Sequence, residues 1–180
     1  KSGIKPICGC DVLVEDEAGQ TRLILLVKNR QGYLNLTRLI SDLYTENPSL
    51  SVPAVTKKDL QEFSEGLIAL SGAQHSDIGA AILAGEEAQA KELLERWCEI
   101  FPDSFYLELQ RIGASQEEDY IDGAVALAAQ YGCPVVATND VRFLSRDDFE
   151  AHEVRVCING GRTLDDPRRP RNYTEQQYLR

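Results

Sequence analysis

The residues with the best claim to chemistry stand where apolar runs end. Pro134-Val135-Val136-Ala137-Thr138 is a β-branched run that reads as a buried strand. It passes directly into Asn139-Asp140-Val141-Arg142. Polar groups at the exit of a buried strand are where α/β barrels carry their reactions, which makes Asp140 and Arg142 the first candidates. Asn-Asp in that place reads first as a turn and a cap, and only second as a site. Other strand ends offer Asp11 after Cys10, Ser71-Gly72 with His75 just beyond, and Gln110-Arg111-Ile112-Gly113. The chemistry in question is metal-assisted hydrolysis, which needs several His and Asp ligands converging on one point. The chain has two histidines, and a pair of carboxylates such as Asp11 and Asp140 does not make a tight transition-metal site. His75, in a Ser/Gln/Asp-rich stretch, reads as a surface or capping residue. His152, beside Phe149 and Val156, reads as a packed structural histidine. There is no glycine-rich nucleotide fingerprint, no P-loop and no Ser-His-Asp set.

The elements that must position these groups alternate in type. Ile4 to Val14 and Arg22 to Val27 read as strands joined by a polar turn, a candidate hairpin. Leu36, Leu39, Ile40 and Leu43 give helical spacing over Gly32 to Tyr44, stopped at Asn47-Pro48-Ser49. Thr56 caps a short helix to Phe63, with Asp59 three residues on. Strands at Gly66–Leu70, Phe105–Leu109 and Pro134–Thr138 then alternate with helices. The helices are Asp77–Leu83, Glu86–Ile100, one opened by a Ser115…Glu118 capping box and running to Tyr131, and one capped by Ser145. Residues 159–172 read as a Gly/Arg/Pro loop and Thr174 to Leu179 as the start of a further helix. Alternation of this kind predicts a mainly parallel sheet with crossover helices: a partial or distorted β/α barrel first, an open doubly wound sheet second.

Composition bounds the rest. The 180 residues are 43% hydrophobic and 27% charged, those of one globular domain with a real core. A net charge of −10 argues against nucleic-acid binding by the field of the whole segment. The one basic cluster, Arg162, Arg168, Arg169 and Arg171, is short and broken by prolines, and reads as a loop and not as a groove-lining patch. Five cysteines, Cys8, Cys10, Cys98, Cys133 and Cys157, fit no zinc or CxxC spacing and read as reduced thiols of a cytoplasmic protein, Cys8 and Cys10 as small apolar fillers. No apolar run is long enough to span a membrane. With no methionine, and an abrupt opening on Lys1-Ser2-Gly3-Ile4-Lys5-Pro6, the sequence reads as a piece of a longer protein cut at both ends.

Gly3-Ile4-Lys5-Pro6-Ile7-Cys8-Gly9-Cys10-Asp11 resembles a segment of the PHP (polymerase and histidinol phosphatase) domain, in the form found in alpha subunits of bacterial replicative DNA polymerase III. The resemblance recurs in order at Gly32–Ser41, Glu65–Gly72, Val136–Val141, Ala151–Val154 and Thr163–Pro167, and so covers essentially the whole chain. It implies a distorted seven-stranded β/α barrel, incomplete at its N-terminus, with residues 1–172 a partial PHP domain and 173–180 the start of the following segment. In metal-binding relatives, which use Zn or Mn, the barrel mouth is a phosphoesterase or 3′–5′ exonuclease site whose first ligands, a His-x-His pair, would precede Lys1. Of the later ligand positions, Asp11 stands for the usual Glu, Ile112 and Arg142 stand where those relatives have His, and Asp140 is retained. A guanidinium fixes positive charge where cations would sit and can pair with Asp140 or Asp11. The resemblance therefore implies a vestigial site, with no catalytic or metal-binding residue and no cofactor in this segment. It also implies a parent that synthesises DNA with Mg bound at carboxylates elsewhere. The segment itself would be a structural module that docks the proofreading exonuclease subunit among other replicase subunits, with DNA bound by the parent rather than mainly by this acidic piece. The rival reading is an active PHP exonuclease or pyrophosphatase.

Overall fold

The computed structural model describes residues 3–16, 19–46 and 53–180. Strands β1 (Gly9–Asp16) and β2 (Gly19–Val27) form the expected hairpin, antiparallel with Asp16 opposite Gly19. The tip of the turn lies outside the described residues. The strand starts at Gly9 and not at Ile4. Ile4, Ile7 and Cys8 are exposed, so Cys8 fills no core. Helix α1 (Arg30–Glu46) follows. The predicted stop at Asn47-Pro48-Ser49 falls outside the described residues.

A two-residue strand, β3 (Val55–Thr56), precedes helix α2 (Lys57–Phe63). Thr56 caps α2 as predicted: its hydroxyl accepts from the Asp59 N–H while the Asp59 carboxylate takes the Thr56 N–H, 2.9 Å. Strand β4 (Leu67–Leu70), helix α3 (Asp77–Leu83), helix α4 (Glu87–Ile100), strand β5 (Phe105–Gln110), helix α5 (Glu117–Tyr131), strand β6 (Val135–Thr138) and helix α6 (Phe149–Asn159) complete the order.

The six strands make one mixed sheet ordered β3-β1-β2-β4-β5-β6. The pairs β1–β3, β4–β5 and β5–β6 are parallel; β1–β2 and β2–β4 are antiparallel because the hairpin interrupts the alternation. Within the described residues β3 and β6 are the two ends of the sheet order. Pleating sends alternate residues to opposite faces. Val12, Val14, Leu23, Leu25, Leu67, Ala69, Phe105 and Leu107 join helix residues such as Leu36, Leu60, Ile78, Leu94 and Trp97 in one core. Lys57 ties that layer together, 2.7 Å from Asp77 and 3.2 Å from Asp16, while the Trp97 indole N–H donates to Asp77 at 3.0 Å.

The opposite face carries Leu13, Ile24, Leu26, Ile68, Tyr106 and Val136, all only half-buried. Strand β6 is the plainest departure from expectation: Val135 and Ala137 are exposed, and among the described residues β6 pairs with β5 alone. Two local expectations also change. The Ser115 capping box does not form. Gln116 adopts a left-handed φ of 59°, and the Glu117 carboxylate turns back onto the preceding loop. Thr174 to Leu179 is no helix; its backbone N–H and C=O groups bond across to the 139–143 segment instead.

Candidate functional site

The hairpin register puts Asp11 opposite Ile24 and Arg22 opposite Leu13, so Asp11 and Arg22 are diagonal neighbours on the half-open face. Arg22 Nε donates to Asp11 Oδ2 at 2.7 Å, and Arg22 Nη2 reaches Asp140 Oδ1 at 3.1 Å. Asp140 sits just past β6 with a left-handed φ of 38°, a conformation an aspartate tolerates better than most residues and one that fixes where its carboxylate points. From two residues on, Arg142 forks onto both of its oxygens, Nη2 at 2.9 Å from Oδ1 and Nε at 3.1 Å from Oδ2. The Gln177 side-chain amide donates to Oδ2 at 2.7 Å, and its own oxygen accepts from the Thr174 N–H at 2.9 Å, which fixes the amide orientation. Both Asp140 oxygens are therefore occupied by donors. Burial works against the charge on Asp140, but Arg22 and then Arg142 outweigh it and hold the carboxyl below its ordinary range. Burial also works against the charge on Arg22, and its bonds to Asp11 and Asp140 more than restore it.

The mouth of this cluster is strapped by residues 173–180. Asn139 donates to the carbonyls of Gln176 and Tyr178 at 3.0 and 2.6 Å, Arg142 N–H to the Gln177 carbonyl at 2.8 Å, and Leu179 N–H to the Phe143 carbonyl at 3.1 Å. Arg180 closes the strap on Asn139 Oδ1 and on the Arg111 carbonyl, both at 2.9 Å. Gln177 is buried as a result.

Of the residues that sequence singles out, Asp11, Asp140 and Arg142 come together and Ile112 does not join them with any polar group. Its side chain is buried; its N–H is taken by Glu117 and its carbonyl by the Thr174 hydroxyl. His75 is exposed. His152 is buried between Phe143 and Tyr173, with ring centroids 5.4 and 4.7 Å away, in the structural role expected of it. Sequence reasoning misses Arg22 and Gln177. The signal for Arg22 is a lone charge in an otherwise apolar strand, but its partners depend on hairpin register. Gln177 carries no signal at all. Among the described residues no three His, Cys, Asp or Glu side chains converge as a metal-ligand set.

The family model for the PHP domain matches residues 1–112. Over 99% of its length the chain is 51% identical to the DNA polymerase III subunit alpha of Pseudomonas aeruginosa, 49% to that of Escherichia coli K12 and 48% to that of Vibrio cholerae. The chain belongs to the PHP domain family. It spans 16% of the length of each of these relatives. In this PHP chain, Asp11 lies on β1 within the span of the family match, as does Ile112 at its end. Asp140, Arg142 and the Gln177 strap lie beyond that span, in the part covered by the relatives.

Proposed function

We propose that this chain is the PHP portion of the alpha subunit of a bacterial replicative DNA polymerase, a cytoplasmic enzyme, and that this portion is a structural and docking module with a disused metal site. The identity to subunit alpha along 99% of the chain supports the parent assignment. DNA synthesis, with its Mg, would belong to the rest of that longer protein, and the proofreading exonuclease subunit would be among the partners docked here. Further strands of the parent would close the sheet into the distorted barrel.

One observation carries the loss of the metal site: the Asp140 carboxylate accepts from Arg22, Arg142 and Gln177, which uses both oxygens. A divalent cation needs free, negatively charged oxygen ligands, and transition metals want imidazole or thiolate as well. Here the two carboxylates face two guanidiniums, so the cluster is neutral before any ion arrives, and Ile112 adds no ligand. The donor set does not fit Zn, Mn or Mg, and no metal-dependent step is assigned to it. Dialysis of the protein against Zn²⁺ or Mn²⁺ followed by metal analysis is expected to leave less than one equivalent bound. Stoichiometric metal that survives dialysis and disappears in Asp140→Ala would overturn this reading.

A further inference from the structure

The chain carries −10 overall, yet residues 153–172 hold five arginines, Arg155, Arg162, Arg168, Arg169 and Arg171, against Glu153, Asp165 and Asp166, a net +2. The remaining residues therefore carry −12, that is −10 less +2. The loop after α6 is folded by its own turns: Arg162 N–H donates to the Cys157 carbonyl at 2.8 Å, Asp166 to Thr163 at 3.2 Å and Arg169 to Asp166 at 3.1 Å. Arg169 turns inward, ion-paired to Glu153 and bonded through Nε to the Leu164 carbonyl at 3.0 Å. With Arg169 used as the anchor, Arg162, Arg168 and Arg171 face solvent, and Arg155 is exposed on α6. Asp166 braces two of them, Arg162 through Nη1 at 3.0 Å and Arg168 through Nε at 3.4 Å and backbone N–H at 2.8 Å. A guanidinium has five N–H donors, so most of each fork remains for another acceptor.

We propose that this loop grips the phosphate backbone of double-stranded DNA, without regard to base sequence. All of its positive charge is arginine, whose planar fork matches a phosphate in two parallel hydrogen bonds. Beyond about 8 Å the acidic remainder of the chain is screened at physiological salt, so local charge decides. Residues 159–172 contain no aromatic side chain. That leaves the loop itself without the stacking platform single strands need. A duplex backbone asks only for spaced positive forks. The proposal is independent of the metal-site reading.

The test places a photo-crosslinking side chain at Asn172 in the full-length protein that carries this chain, with a labelled duplex of random sequence as probe. Crosslinking to the duplex is expected at low salt. It is expected to fall several-fold in the Arg162→Ala/Arg168→Ala/Arg171→Ala variant, with a log–log salt slope flatter by about 0.9 for each phosphate that the variant no longer neutralises. Arg169 is left in place so that the loop keeps its fold, and matched thermal unfolding checks this. The proposal is overturned if the yield does not exceed that of the same probe at Glu92, on the acidic face of α4, or is unchanged in the triple variant. Competition by polyglutamate but not by unlabelled duplex would also overturn it, assigning the loop to an acidic protein.

Discussion

Arg22 and Arg142 both touch Asp140, but they do so in different surroundings. The Arg22 side chain is 17% exposed and bridges two acids; that of Arg142 is 38% exposed and lies 5.6 Å over the Tyr173 ring. From sequence, Arg142 is the arginine expected to pair with Asp140 or Asp11. The geometry gives the larger contribution to Arg22, since ion pairs open to water contribute only about 0–1 kcal/mol. Arg22→Ala is expected to cost roughly 1–3 kcal/mol at neutral pH, and Arg142→Ala under about 1 kcal/mol. The pH dependence has a definite sign. Asp140 has a lowered pKa in the folded state, so its contribution is complete above the ordinary carboxylate value of about 3.9 and is lost as pH falls through the folded value. The penalty of Arg22→Ala should therefore shrink in that acid range. Chemical denaturation of both variants across pH measures it; equal costs for the two arginines at neutral pH would contradict the assignment.

At the scale of elements, the start of α5 shows how a helix end holds a loop. The Glu117 carboxylate accepts N–H groups from Ile112, Gly113 and Ala114 in its own first turn, where negative charge also suits the helix dipole. That contact fixes the β5–α5 connection, on which the Thr174 and Arg180 ends of the strap also rest. Glu117→Ala would strand these donors and is expected to destabilise by about 1–3 kcal/mol. Glu117→Gln, which keeps one acceptor, should lose less. Hydrogen exchange at Ile112 and Gly113 is the direct readout, and unchanged protection in the alanine variant would show that the loop is held by other contacts.

At the scale of the whole molecule, the sheet has one face packed under helices and one on which Leu13, Ile24, Leu26, Ile68, Tyr106 and Val136 stay half-buried beside the buried Leu70, Glu108 and Gln110. Contiguous apolar surface and unpaired strand edges favour association. The 180-residue polypeptide on its own is expected to self-associate with rising concentration, and Leu26→Lys should shift it toward monomer. Light scattering over a concentration series decides the matter; a monomer at all concentrations would mean that the face is adequately covered as it stands.

The alternation of elements, the Thr56 and Ser145 caps, the hairpin and the family are all legible in the bare chain, because these rest on periodicity, capping chemistry and local motifs that act within a few residues. Asp11, Asp140 and Arg142 are likewise visible there as polar groups at strand ends. What joins them depends on the folded arrangement. Asp11 and Arg22 meet through a hairpin register set by cross-strand pairing, and Gln177 reaches Asp140 across 37 positions through a strap that forgoes the helix its sequence suggests. A helix that short is marginal by itself whatever its residues, and bonds to Asn139, Arg142 and Phe143 satisfy the same backbone groups in another way. The exposure of β6 is equally hidden, since an apolar run reads the same whether or not a neighbour covers it.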